Sequence, residues 1–348
     1  MTGHLVTDSE EMQKVACEAN AIKKLSEIIL KAKSSLSDTP DSYSTHHADK
    51  LKESALSAIA AITLFKDDYR KQVIETGLIP SIVAAMSSSV PGIRAAACQC
   101  TRSLSRSVCI LRTNLVDAGI AIPLFKLLSD PSLEVRIAAT GAVCNLMLEF
   151  SPMRRAILEQ GAMKILCQHT CSEYAQLRLN AVWALKHFCY QPDEPIQIEQ
   201  MLQELGYEQL LKLCEDEDIG VQEQALSVIR NVMTGEVKCI GMLFDNIGAG
   251  RLMKLIVAKL HSVYPEIVGA VFSMLVDFLT LGCVYLCTYW FWNGSPSQRA
   301  HFEHGSPQGH STPHGLPLRY GPHRLCLDDH QPHRHRRNHR RKRYPLQR

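Results

Sequence analysis

Three groups of residues have types and spacings suited to chemistry. Cys98 with Cys100, and Cys167 with His169 and Cys171, carry thiols and an imidazole that could ligate zinc. Neither group has the paired Cys-x2-Cys or Cys/His spacing of a structural zinc site, and the residues needed to complete four ligands are missing. Ordinary core cysteine accounts for them better. Gly248-Ala249-Gly250 has the start of a phosphate-cradling loop but lacks the third glycine and the preceding strand. No serine, histidine and aspartate stand in the relation of nucleophile, base and orienting acid. The residues imply no catalytic centre, no metal and no cofactor, which leaves recognition of another molecule.

Residues suited to recognition recur in pairs four apart: Ser57 and Ala61, Gln99 and Ser103, Gly141 and Asn145, Trp183 and His187, Ser227 and Asn231. A residue and its i+4 partner share one helix face, so the pairs would form a ladder across successive helices. Tyr190, two helical turns after Trp183, is assigned to the same face, with Arg102, Arg106, Lys186 and Arg230 beside it. Trp183 also reads as inter-helix core, because bulky aromatics fill cores as readily as interfaces. Asn145 and Asn231 would need partners if buried, which favours a groove-facing role. The candidate partner-binding set is Trp183, His187, Tyr190, Asn145, Asn231, Gln99, Lys186 and Arg230.

The elements that must position this ladder repeat. Arg94, Arg136 and Arg178 are 42 residues apart, and one further step back is Lys52. Gly77, Gly119 and Gly161 keep the same spacing, followed by Gly206 and Gly248 at 45 and 42; Asn20 takes the glycine's place in the first unit. A period of 40 to 47 residues with two or three helices per unit is the armadillo/HEAT signature. The expected fold is all-α, a right-handed superhelical armadillo solenoid of five to six units over 1–280. Apolar residues at helical spacing place long helices at 51–65, 92–107, 133–149, 175–190 and 220–233, and closing helices at 78–86, 120–128, 162–169, 207–214 and 249–259. Ala95, Ala96, Ala138, Ala139 and Ala181 would let the long helices approach closely. Residues 33–49, rich in Ser, Asp, Thr and His with Pro40, read as an inserted surface loop.

The net charge of +3 averages two unlike parts. From Asn293 onward there are 11 Lys plus Arg against 3 Asp plus Glu, so the tail carries +8 and residues 1–292 carry −5. The body offers no general attraction for nucleic acid, and no nucleic-acid partner is expected. Thirteen cysteines, an odd number lying mostly in apolar helical runs, and no recognisable secretory signal point to a reduced cytoplasmic and nuclear setting.

Several strings are more specific than the period. Ser-Leu-Ser-Arg-Ser-Val at 103–108, Cys-Asn-Leu-Met-Leu-Glu-Phe-Ser-Pro at 144–152, Ile-Leu-Glu-Gln-Gly-Ala at 157–162, Leu-Arg-Leu-Asn-Ala-Val-Trp-Ala-Leu at 177–185, and 55–67 resemble the armadillo subunit of the GID/CTLH E3 ubiquitin ligase. The resemblance covers about 5–275. It implies a non-catalytic scaffold that bridges the RING-bearing core to a substrate receptor, whose chain end lies in the concave groove. Metabolic enzymes would be the substrates. On this reading Trp183, His187 and Tyr190, with Asn145 and Asn231, contact the receptor.

The family would continue through further repeats after 265–268, whereas this chain does not. No capping unit precedes the first repeat, and a fragment or shortened gene product is expected. Ile267 to Trp292 carries one charge, Asp277, over 26 residues, long enough for a membrane span; residues 266–275 also occupy the place of the next long repeat helix, which is the favoured reading. Residues 281–292 form an apolar segment, and 293–348 a His/Pro/Arg-rich tail with nine of the fifteen histidines, expected to be disordered. The basic cluster at 334–343 resembles a nuclear localisation or nucleic-acid patch, but a retained intron or shifted frame explains the abrupt compositional break better. The rival functions are a nuclear import adaptor, which would need Trp/Asn pairs on several successive units, and a membrane-anchored armadillo protein.

Overall fold

The structure is a computed structural model and describes residues 9–31, 42–194, 196–235 and 237–277. Among the described residues every regular element is a helix. Six long helices form the spine: α1 Ser42–Ile62, α2 Pro91–Leu104, α3 Leu133–Leu146, α4 Ala175–Cys189, α5 Ile219–Met233 and α6 Pro265–Asp277. Each packs against the next in order along the chain. Shorter helices fill the intervals, among them Asp67–Glu75, Ile79–Ala85, Arg154–Glu159 and Ala162–His169. Two helices, Glu10–Glu18 and Ala21–Lys31, precede the spine and pack on α1. The buried residues form one continuous cluster running from Ile22 to Met274, as expected when each unit completes its core against its neighbours. This is an armadillo solenoid.

Small residues set the spacing of the spine. Ala95, Ala96, Ala139 and Ala181 are buried, and Gly141 on α3 leaves so little room that an added Cβ would lie 3.2 Å from both Arg102 Nη1 and Asn180 Nδ2. Pro91 occupies the first turn of α2, where its missing N–H costs nothing. The repeating glycines terminate the middle helices in the left-handed region, with φ from +67° to +90°, and Asn20 does the same at +57°. Asn is the best non-glycine residue for that conformation.

One boundary differs from the sequence reading. Residues 42–49, assigned to the loop 33–49, are the opening turns of α1. No Gly or Pro follows Pro40 in this stretch, so a helix already anchored at Leu56 and Ile59 extends backward at little cost. At the other end, Ile267, Val271 and Met274 of α6 are buried, with α6 packed on α5. The first part of 267–292 is therefore the next long repeat helix. No single helix among the described residues is long and apolar enough to cross a membrane. Residues 281–292 and the tail 293–348 lie outside the described residues.

Candidate functional site

The ladder is built from the second member of each pair, and most of these bond to the helix before them. Ser103 Oγ meets Thr63 Oγ1 at 2.7 Å. Asn145 Nδ2 donates to Arg102 O and to Ser105 Oγ, both at 3.0 Å. His187 Nδ1 lies 2.8 Å from Cys144 O, and Asn231 Nδ2 donates to Lys186 O at 2.9 Å. A backbone carbonyl only accepts, so Nδ1 of His187 carries the proton. Its Nε2 lone pair then accepts from Trp183 Nε1 at 3.0 Å.

Asn145 and Asn231, expected to face the groove because a buried Asn would need partners, are half-buried. Each has a partner in the preceding unit, at 43 and 45 residues' separation. One-residue helix propensity carries no trace of a bond to a carbonyl a full repeat away. Asn180, buried and not in the candidate set, does the same to Ile137 O at 2.9 Å.

The electrostatics of the centre follow from burial. Desolvation, helped by the neighbouring Lys186 charge, pushes the His187 pKa down to about 4, so its imidazole is neutral near pH 7. Burial also lowers the Lys186 pKa, while its ammonium sits 5.3 Å from the Trp183 ring centroid. Trp183 packs edge-on to His187, with centroids 6.2 Å apart, and is partly buried against the core. Arg230 pairs with Asp277 of α6. Gln99 is exposed. Tyr190 is 42% exposed; it follows the last residue of α4 with extended backbone, φ −82° and ψ 110°, so the helical i+7 argument does not position its ring. Gln99 and Tyr190 are exposed, whereas Trp183, Lys186, His187, Asn145, Asn231 and Arg230 are half-buried, and of these all but Lys186 have a hydrogen-bond or ion-pair partner within the chain.

Three of the four candidate cysteines are core residues and the fourth is not. Cys98, Cys100 and Cys167 are buried, and desolvation raises their thiol pKa values. Cys171 is exposed, while His169 Nδ1 pairs with Thr140 Oγ1 at 3.1 Å.

The pairing of two sets of arginines, one of them known from sequence only as a period marker, appears in the structure alone. Arg94 reaches across to the next unit, with Nε on Asp130 Oδ2 at 2.8 Å and Nη2 on Oδ1 at 2.9 Å. Arg178 repeats this on Asp216 with both bonds at 2.7 Å. In the other set, Arg112 Nε donates to Phe150 O at 3.0 Å and Arg154 Nη2 to Phe188 O at 3.1 Å. These guanidiniums satisfy carbonyls after or at the end of the next long helix, where cations are favoured. The visible signal was the shared 42-residue spacing of Arg70, Arg112 and Arg154.

Comparison with known proteins bears on this geometry. A family profile described as the VID28/GID5 C-terminal domain matches residues 125–259. GID complex subunit 5 of Schizosaccharomyces pombe is 37% identical over 287 residues, covering 78% of this chain and 36% of that protein. The chain is an armadillo-type relative of GID subunits. Armadillo repeat-containing protein 8 of Danio rerio is 35% identical over 236 residues, covering 66% of this chain and 35% of that protein. The chain thus spans about a third of the length of these curated relatives. Among solved structures, a designed armadillo repeat protein in complex with the peptide (KR)4 aligns with a TM-score of 0.59 at 21% identity, over 73% of this chain and 99% of that one. At that identity the likeness concerns the fold alone.

Proposed function

We propose that the chain is a non-catalytic scaffold of a GID/CTLH-type E3 ubiquitin ligase. It bridges the RING-containing core to a substrate receptor held in the concave armadillo groove, so that metabolic enzymes are turned over by the proteasome, in the cytoplasm and nucleus. The observation that carries this reading is the 37% identity to a GID complex subunit over 78% of the chain. The ladder supports it locally, because Gln99 on α2 and Tyr190 at the end of α4 are exposed with Trp183 and Lys186 half-buried on α4, while His187, Asn145, Asn231 and Arg230 hold successive long helices in register. Aromatic anchors at such a face commonly dominate binding.

The test is affinity purification of the tagged full chain, with recovery of RING and receptor subunits as the expected result. Import receptors or cargo recovered in their place would refute the reading. Tyr190→Ala, alone and with Trp183→Ala, is expected to weaken receptor capture roughly tenfold or more with helicity unchanged. Undiminished capture by the double variant would remove these rings from the interface.

A further inference from the structure

Three successive long helices, α2, α3 and α4, share one arginine device at the loop that enters them, and the copy at α3 is incomplete. In Arg94, Nη1 donates to Ser88 O and Ser89 O, which aims Nε and Nη2 at Asp130. In Arg178, Nη1 donates to Ser172 O and Glu173 O, and Nε and Nη2 grip Asp216. Arg136, midway between them in the repeat, anchors Nη1 in the same way, to Asp130 O at 2.8 Å and Pro131 O at 3.1 Å. Among the described residues its Nε and Nη2 donate to nothing.

The residue that stands where the clamp aspartates stand is Ser172. It follows Arg136 by 36 residues, the separation of Arg94 and Asp130. The turn geometry is the same as well. Asp130 Oδ1 accepts from Ser132 N at 2.8 Å, Asp216 Oδ1 from Asp218 N at 2.9 Å, and Ser172 Oγ from Tyr174 N at 3.2 Å. Each side chain caps the backbone N–H two residues on. A serine hydroxyl is shorter than a carboxylate and uncharged, so the third clamp has its donor fork, its turn and its position, but no anion.

We propose that Ser172 is a phosphoacceptor site whose phosphate closes this third clamp with Arg136. A protein kinase would transfer the γ-phosphoryl group of ATP: the Ser172 Oγ–P bond forms, the bond from the γ-phosphorus to the bridging oxygen of ADP breaks, and the hydroxyl proton leaves to the kinase's base. The loop is open to such an enzyme, since Cys171, Glu173, Tyr174 and Gln176 are exposed around Ser172. The added dianion lies just before α4, where the helix N-terminus favours negative charge, and opposite an arginine fork suited to two parallel bonds. Glu173 is the like charge beside it, and it projects into solvent. The Asp130 carboxylate is already committed to Arg94. Closure would lock the junction between α3 and α4, the helices that carry Asn145, Trp183 and His187.

The experiment compares full chains with serine or genetically encoded phosphoserine at 172, in the wild-type and Arg136→Gln backgrounds. Denaturant unfolding and hydrogen exchange at the start of α4 are the readouts. Phosphoserine is expected to raise the folding constant about tenfold in the wild-type background and to slow exchange at 175–178, with both effects lost in Arg136→Gln. Ser172→Asp is expected to give a smaller gain of the same sign. If Arg136→Gln does not fold, Arg136→Lys serves instead, since it keeps the charge without the two-pronged donor and should lose most of the gain. No stabilisation by phosphoserine, or stabilisation that survives both Arg136 variants, would overturn the clamp. Phosphopeptide mapping of the chain isolated from its own cells should place phosphate on Ser172; its absence in growing, resting and stressed cells would overturn the assignment as a modification site.

Discussion

The clamp between Arg94 and Asp130 offers a direct measurement of what holds successive units together. The two side chains are 11% and 6% exposed and share two parallel bonds. Replacing Arg94 by Gln removes both and leaves a buried carboxylate bonded only to the Ser132 N–H, with the Arg136 charge nearby. Breaking a buried pair from one side costs about 3 to 5 kcal/mol when the pair is fully enclosed. With this degree of exposure about 2 to 4 kcal/mol is expected. Asp130→Asn keeps an oxygen for Ser132 N and should cost less, about 1 to 2 kcal/mol. A double-mutant cycle isolates the pair, with an expected coupling of about 2 kcal/mol. The pH dependence supplies an independent check. Burial acts to raise the Asp130 pKa, but the Arg94 bonds, the Ser132 N–H and the Arg94 and Arg136 charges outweigh it, so the folded value lies below the ordinary one. The unfolded state then binds the proton more readily. The clamp's contribution is complete above the unfolded aspartate pKa of about 4 and is lost as pH falls through the lowered folded value. Because repeat arrays open locally, hydrogen exchange across α2 and α3 should accompany the global unfolding curve. A coupling below about 0.5 kcal/mol, the range of exposed pairs, would refute the clamp as a source of stability.

Other expectations follow from single positions. The His187 pKa is lowered to about 4, so stability should decline as pH falls from about 6.5, where the unfolded imidazole protonates, toward 4, by as much as about 3 kcal/mol. His187→Asn places at this position the residue found at 145 and 231; it should preserve the bond to Cys144 O and remove that decline, as pH-dependent unfolding would show. Gly161→Ala introduces a side chain at φ +90° with nothing within 4 Å of the added Cβ. The cost should be pure backbone strain, about 1 to 2 kcal/mol in thermal unfolding, and a neutral result would mean that the turn readily relaxes.

Much of the architecture is legible in the residues because local rules act within each unit. The 42-residue recurrence of Arg94, Arg136 and Arg178, the glycines ending each middle helix, and the apolar spacing of the long helices all depend on near neighbours in sequence. Asn20 could be assigned to a left-handed turn for the same reason, and its φ of +57° agrees. The start of α1 was less legible, since a stretch rich in Ser and His carries a weak local signal that the anchored helix overrides.

What tertiary structure decided is the use made of each polar side chain. Sequence placed Asn145, His187 and Asn231 at one register, but only the packed spine shows that each bonds to a carbonyl of the preceding unit. The same holds for Arg94 and Arg136, which are alike in spacing and in their Nη1 anchors, and differ only in what the next unit presents to the remaining fork. A hydrogen bond across 36 to 45 residues depends on interaxial distance and helix rotation to within an ångström. Those quantities come from the packing of alanines and a glycine between neighbouring helices, and no window of sequence contains them.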